Sequence, residues 1–153
     1  MRLFAAAIPA SGQVATISIV DSSGDVGRGS DVAYGPDGLA LISYLDATNG
    51  ALKVAHCNDV ACTTAVKTTI DALAATTFGA STSVAFGPDG RALISYQAGT
   101  FIKVAHCADA LCSSATLSTV ETAASTFPLG SAITDSGAMS SGCAHSWPGS
   151  RRT

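Results

Sequence analysis

Four cysteines fall in two identical spacings, His56-Cys57-x4-Cys62 and His106-Cys107-x4-Cys112, and each pair follows a histidine. Thiolates beside imidazoles can ligate zinc, and paired cysteines can equally close disulfides. On an extended strand neighbouring side chains point to opposite faces, so His56 and Cys57 cannot both reach one ion. Zinc sites also favour C-x2-C knuckles brought together in pairs, a spacing this chain lacks. The favoured reading is a disulfide within each unit, Cys57–Cys62 and Cys107–Cys112, with no metal site and with Cys143 left over. Each bridge closes a short loop, worth about 2 kcal/mol by the chain-entropy estimate. Disulfides persist in oxidising compartments, so a secreted or cell-surface setting is expected.

Other groups carry weaker chemical promise. His56 and His106 have the side chain of a general base, yet one histidine per unit fits a structural role better than a single active site. Asp37 and Asp89 sit in Gly-Pro-Asp-Gly sequences, where aspartate forms turns. Asp46 and Asn49 occupy a longer loop and are candidate cation or sugar contacts. Asp21, Asp71 and Glu121 end Thr-rich segments, and no EF-hand or nonapeptide calcium spacing links any of these acids. Tyr44 and Tyr96 close the two ALISY strands; each ring is a candidate platform for a sugar or a packing residue between sheets. A Ser-His-Asp arrangement, P-loop, G-x-S-x-G motif and sialidase S-x-D-x-G-x-T-W turn are all missing. No catalytic residue and no cofactor is therefore assigned.

The elements that would hold these residues come from a repeat. Ser30 to Asp71 (SDVAYGPDGLALISYLDATNGALKVAHCNDVACTTAVKTTID) aligns with Thr82 to Glu121 (TSVAFGPDGRALISYQAGTFIKVAHCADALCSSATLSTVE). The offset is 52 residues at the Gly-Pro-Asp-Gly turns and 50 at the cysteines, so two residues are lost between Tyr96 and Lys103. A surface loop tolerates such a change. Residues 2–21 align without gaps on residues 52–71, with Ala7 and Gly12 in place of the cysteines. This N-terminal stretch reads as a degenerate half repeat, ahead of a weaker signal-like reading. Residues 129–140 resemble the start of a third repeat, and residues 141–153 form an irregular tail.

Each unit predicts four short antiparallel strands. Proline presets the first turn and Asp-Gly supplies its left-handed residue, while strands such as ALISY and LKVAHC are apolar or small on both faces. That double burial suits the blade of a β-propeller, sandwiched between neighbours, better than a sandwich with one wet face. The expected fold is all-β: tandem four-stranded antiparallel sheets forming a partial propeller of about three blades. Propellers usually have four to eight. The chain then reads as an assembling protomer (a homo-oligomer), part of a longer propeller, or a truncated reading frame without independent function.

Bulk properties narrow the partners. The chain has 153 residues, 47% hydrophobic and only 12% charged, which is incompatible with disorder. A net charge of -3 leaves no basic patch for phosphates, so nucleic acid is not an expected partner. No apolar run reaches 18 residues, so no membrane-spanning helix is expected.

The unit V-A-aromatic-GPDG-x-ALISY … KVAHC-x4-C resembles the uncharacterised bacterial β-propeller-like repeat proteins whose units read DGLPVISYYDATNGDLKVAHC. The resemblance covers Ser30 to Glu121 strongly and both flanks weakly. It implies an extracytoplasmic repeat array and carries no enzymatic activity with it. The expectation is a non-catalytic binding or scaffold module whose edge loops hold a glycan or a surface protein. The alternative is a fragment of a sialidase- or glycosidase-like propeller hydrolase.

Overall fold

The structure is a computed structural model that describes residues 17–72, 81–122, 131–133 and 139–141. Residues 1–16, most of the proposed N-terminal half repeat, lie outside the described residues, as does Cys143. Every regular element described is a β-strand. The first sheet contains β1 (Val26–Tyr34), β2 (Ala40–Asp46), β3 (Ala51–Cys57) and β4 (Ala65–Asp71), in that order and antiparallel throughout. The second contains β5 (Thr82–Phe86), β6 (Ala92–Ala98), β7 (Phe101–Cys107) and β8 (Ala115–Thr122), again in sequence order. A two-stranded hairpin, β9 (Ser131–Ile133) and β10 (Met139–Ser141), follows.

Local chemistry explains the hairpins. Gly38 and Gly90 adopt φ of +75° and +72°, the left-handed backbone that glycine tolerates without a Cβ penalty. Each donates its N–H to the carbonyl of the glycine three residues earlier, at 3.0 Å. The aspartate between accepts the N–H of the residue after the turn, Leu39 or Arg91, which stops the chain fraying there. The two-residue deletion falls in the connection between strands two and three. The first sheet uses Ala47 to Gly50 and the second only Gly99 and Thr100. Both copies also carry a bulge at one place, after Leu52 and after Ile102.

Pairing assigns the faces. Leu41 opposes His56, Ser43 opposes Val54 and Leu45 opposes Leu52, and cross-strand partners share a face. This face packs on Ala92, Ile94, Tyr96, Ala98, Ala105 and Cys107 of the second sheet, forming one core between the sheets. Removing a side chain such as Leu52 or Ile94 from water contributes about 1.5–3 kcal/mol. The turns stack as well: Phe86 lies against Gly35, and Pro36 lies under Gly90. Corresponding loops therefore emerge from the same edge of the stack.

The hairpin extends the series. Ile133 opposes Met139, Ala132 opposes Ser140 and Ser131 opposes Ser141, repeating the pairs Phe86–Ala92, Ala85–Leu93 and Val84–Ile94. β5 packs between β1 and β9, so the first strands of successive units lie side by side. The described strands do not close a ring.

Double burial is only partly realised. On β3, Leu52, Val54 and His56 are buried, whereas Ile102, Val104 and His106 on β7 are half-buried or exposed. Beside the second sheet's first strand, β5, lies β9.

Candidate functional site

A group of acid, tyrosine and lysine recurs with the repeat. At the near face of the first sheet, the Tyr44 hydroxyl donates to Asp21 Oδ2 at 2.8 Å, and Lys53 Nζ donates to the same oxygen at 2.7 Å. Lys67 Nζ stands 3.7 Å from the other carboxylate oxygen. In the next copy the Tyr96 hydroxyl donates to Asp71 Oδ2 at 2.7 Å, and Lys103 bonds that oxygen too. Each lysine nitrogen lies 5.7 Å from the centre of its tyrosine ring, within reach of a cation–π attraction. Asp71 is the last residue of β4, and Tyr96 and Lys103 lie on β6 and β7, so the acid of one sheet binds the next. Asp21 holds the first sheet from the segment before it in the same way. Glu121, next in the series, is exposed at the end of β8.

The electrostatics suit a clamp and not proton transfer. Lys53 holds the Asp21 carboxyl well below the usual carboxylate range, overcoming the opposing pull of burial. Burial, and then the bonded carboxylate, push both tyrosine hydroxyls far above their ordinary value. Near neutrality each tyrosine stays a neutral donor, and Asp21 stays a carboxylate.

These positions bear on the two readings of the tyrosines and on the long loop. Tyr96 is buried between the two sheets, and Tyr44 is buried beneath the segment that carries Asp21, so neither ring presents an exposed face for a sugar to stack on. Asp46 is buried too. Its carboxylate accepts Asn49 N–H at 3.0 Å and Asn49 Nδ2 at 2.8 Å, which bends the loop back on itself. Burial opposes ionisation of Asp46, but the two Asn49 bonds outweigh it and hold the carboxyl below its ordinary value. Asp46 and Asn49 satisfy each other as the chain stands.

Further polar pairs bind sheet to sheet. Thr82 Oγ1 donates to Gly29 O at 2.8 Å and accepts from Ser43 Oγ at 2.7 Å. Asp31 Oδ2 accepts the Val84 N–H at 2.8 Å and the Ser83 hydroxyl at 3.1 Å.

One edge of the stack carries the histidines and the disulfides. His56 Nε2 lies 3.0 Å from Asp37 Oδ2, and His106 Nε2 lies 3.1 Å from Asp89 Oδ2, tying each Gly-Pro-Asp-Gly turn to the third strand. The adjacent cysteines, Cys57 and Cys107, are locked in bridges on the opposite face, so neither histidine has a thiol beside it to activate. The bridges are Cys57–Cys62 and Cys107–Cys112, each with Cα atoms 4.8 Å apart. Inside each loop an aspartate orders the backbone. Asp59 accepts from the N–H groups of Ala61 and Thr63 and from the Thr63 hydroxyl, and Asp109 accepts from Ser113 in the same manner. Cys62 and Cys112 adopt φ of +50° and +53°, a conformation that non-glycine residues rarely take. The loops are therefore short, cross-linked and internally bonded, and each carries an exposed apolar residue: Val60 is 83% exposed and Leu111 49%.

The clamp escaped the sequence reading, although its three members recur with the repeat at Asp21/Asp71, Tyr44/Tyr96 and Lys53/Lys103. Recurrence of all three was the available signal. Among the described residues, no cluster of His, Cys, Asp and Glu is placed to hold a metal ion, and no helix is long and apolar enough to cross a membrane. The chain matches no family model, no curated protein and no solved structure.

Proposed function

We propose that this chain is a non-catalytic scaffold of β-propeller type, secreted or held at the cell surface, which engages another surface protein through its disulfide loops. The observation that carries this reading is the pair of rigid loops bearing Val60 and Leu111 on one edge of the stack. Exposed apolar side chains on pre-ordered backbone lose little entropy on binding. Two similar loops side by side also suit additive weak contacts. Burial of Tyr44 and Tyr96 weakens the glycan alternative, because it withdraws the aromatic faces on which a sugar would stack. The hydrolase alternative would need paired carboxylates across a cleft. Asp21, Asp31, Asp37, Asp46, Asp71 and Asp89 instead accept bonds that hold turns and sheets.

The test is binding of labelled chain to intact cells, with wild type compared with the double variant Val60→Asp, Leu111→Asp. Both positions are exposed, so stability should stay within about 0.5 kcal/mol. Loss of binding in the double variant, and after protease treatment of the cells, supports the reading. Binding that survives protease but is abolished by periodate oxidation of surface sugars would transfer the role to a glycan. Equal binding by wild type and double variant would overturn the loop assignment.

A further inference from the structure

The two disulfides are alike in local geometry and unlike in what covers them. Each joins cysteines five residues apart with Cα atoms at 4.8 Å. In each the second cysteine has a left-handed φ, +50° at Cys62 and +53° at Cys112. Each loop also holds one aspartate, Asp59 or Asp109, bonded to the hydroxyl four residues on. Alternation sets Cys57 on the face of Tyr44 and Lys53, and Cys107 on the matching face of Tyr96 and Lys103. That face of the second sheet packs on the first. Cys107 and Cys112 therefore belong to the core between the sheets, with 1% and 0% of their surface exposed. The same face of the first sheet turns away from that core. Cys57 is buried there, but Cys62 is only half-buried, and neither belongs to the core cluster.

We infer that Cys57–Cys62 is a site of thiol–disulfide exchange for small external thiols, whereas Cys107–Cys112 is closed to them in the folded chain. Exchange needs a thiolate in line with the S–S bond, so its rate depends on access to a sulfur. Cys62 is the open side of the first bridge. The external thiolate attacks Cys62 Sγ and forms a mixed disulfide. The original S–S bond breaks, and its electron pair leaves on Cys57 Sγ, which takes a proton from water. A second external thiol then attacks the external sulfur of the mixed disulfide and releases Cys62 as a thiol. The bridge is reduced by two electrons, and two external thiols are oxidised to one external disulfide. At Cys112 the core side chains block the same approach, and a charged thiolate would have to enter an apolar interior. The second bridge therefore meets reagents only when the sheets part. Reduction frees the loop that carries Val60 and leaves the loop that carries Leu111 cross-linked. Two near-copies of one loop thus differ, one exchangeable and one permanent, whatever the loops bind.

The experiment treats the native full chain with dithiothreitol, traps free thiols with iodoacetamide at intervals, and locates the alkylated cysteines by peptide mass spectrometry. Cys57 and Cys62 should be alkylated faster than Cys107 and Cys112 by on the order of tenfold or more, since only the second pair waits on an opening of the sheets. In denaturing urea the two bridges should be reduced at equal rates, because their loops are the same length. Low urea, short of unfolding, should speed the second bridge far more than the first. With reduced glutathione in place of dithiothreitol, the adduct should stand on Cys62 and the alkyl group on Cys57. Equal rates in the folded chain, faster reduction of Cys107–Cys112, or a second bridge unmoved by low urea would each overturn the inference. A preference for Cys57–Cys62 that persists in denaturant would overturn it too, because cover by the fold would not be its cause. An adduct on Cys57, or on neither cysteine, would overturn the assignment of Cys62 as the attacked sulfur.

Discussion

Replacing Asp71 by alanine isolates the bond between the sheets. Asp71 accepts from the buried Tyr96 hydroxyl and from Lys103, whose side chain keeps 20% of its surface exposed. Removal strands a buried hydroxyl, which costs about 1–3 kcal/mol. It also leaves a partly buried ammonium without its counter-ion. Breaking a fully buried pair costs roughly 3–5 kcal/mol, but Lys103 can reach water, so its share is set well below that range. The expected total is about 2–4 kcal/mol, a fall on the order of 10 °C in Tm for a domain of this size. Urea titration followed by far-UV circular dichroism measures it. Asp71→Asn, which keeps an acceptor for Tyr96 and loses only the charge, should cost about half as much. Combining Asp71→Ala with Lys103→Ala should cost less than the sum of the two single changes, because both act on one bond. Strict additivity, or a loss from Asp71→Ala below about 0.5 kcal/mol, would refute the view that this acid fastens the second sheet to the first.

Three further outcomes follow from the same structure. Thiol titration of the unreduced, denatured chain should find at most one free sulfhydryl, Cys143, since the other four cysteines are bridged; finding five would remove both disulfides. Asp21 is held below its unfolded value of about 3.9, so its contribution is fully present above roughly pH 5 and is lost as pH falls below about 4. Urea midpoints of wild type and Asp21→Asn should therefore converge between pH 7 and pH 2.5, and a constant gap would contradict the Lys53–Asp21 assignment. Gly90→Ala should cost about 1 kcal/mol or more because φ is +72° there, a backbone conformation that a side chain with Cβ strains; an unchanged Tm would show that the turn relaxes freely.

What could be read before the structure was local. Gly-Pro-Asp-Gly marks its own turn, and alternation along KVAHC puts His56 with Leu52 and Val54 and turns Cys57 the other way, which is how they are found. The loop between strands two and three was legible from a two-residue offset alone. Harder to see was which neighbour covers a face, since period two says that two faces exist and nothing about what lies across from each. Asp71 therefore read as the end of a Thr-rich strand, although its bonds go to Tyr96, 25 residues on, and to Lys103, 32 residues on. For the same reason Tyr44 and Tyr96 stood open between a sugar platform and a packing residue: strand ends look alike in sequence whether they abut solvent or another sheet. Incomplete covering of Ile102 and Val104 was likewise invisible, being a property of the next sheet and not of their own strand.

The acid-to-next-sheet bond has a direction, and direction matters when a chain is made from one end. The first sheet finishes with the very carboxylate that the second needs, so the second sheet leaving the ribosome finds its anchorage already waiting behind it. Growth can proceed one unit at a time, each new sheet docking on a completed one. A fault in an early unit would be passed forward to those made after it, whereas a fault in a late unit would leave its predecessors standing.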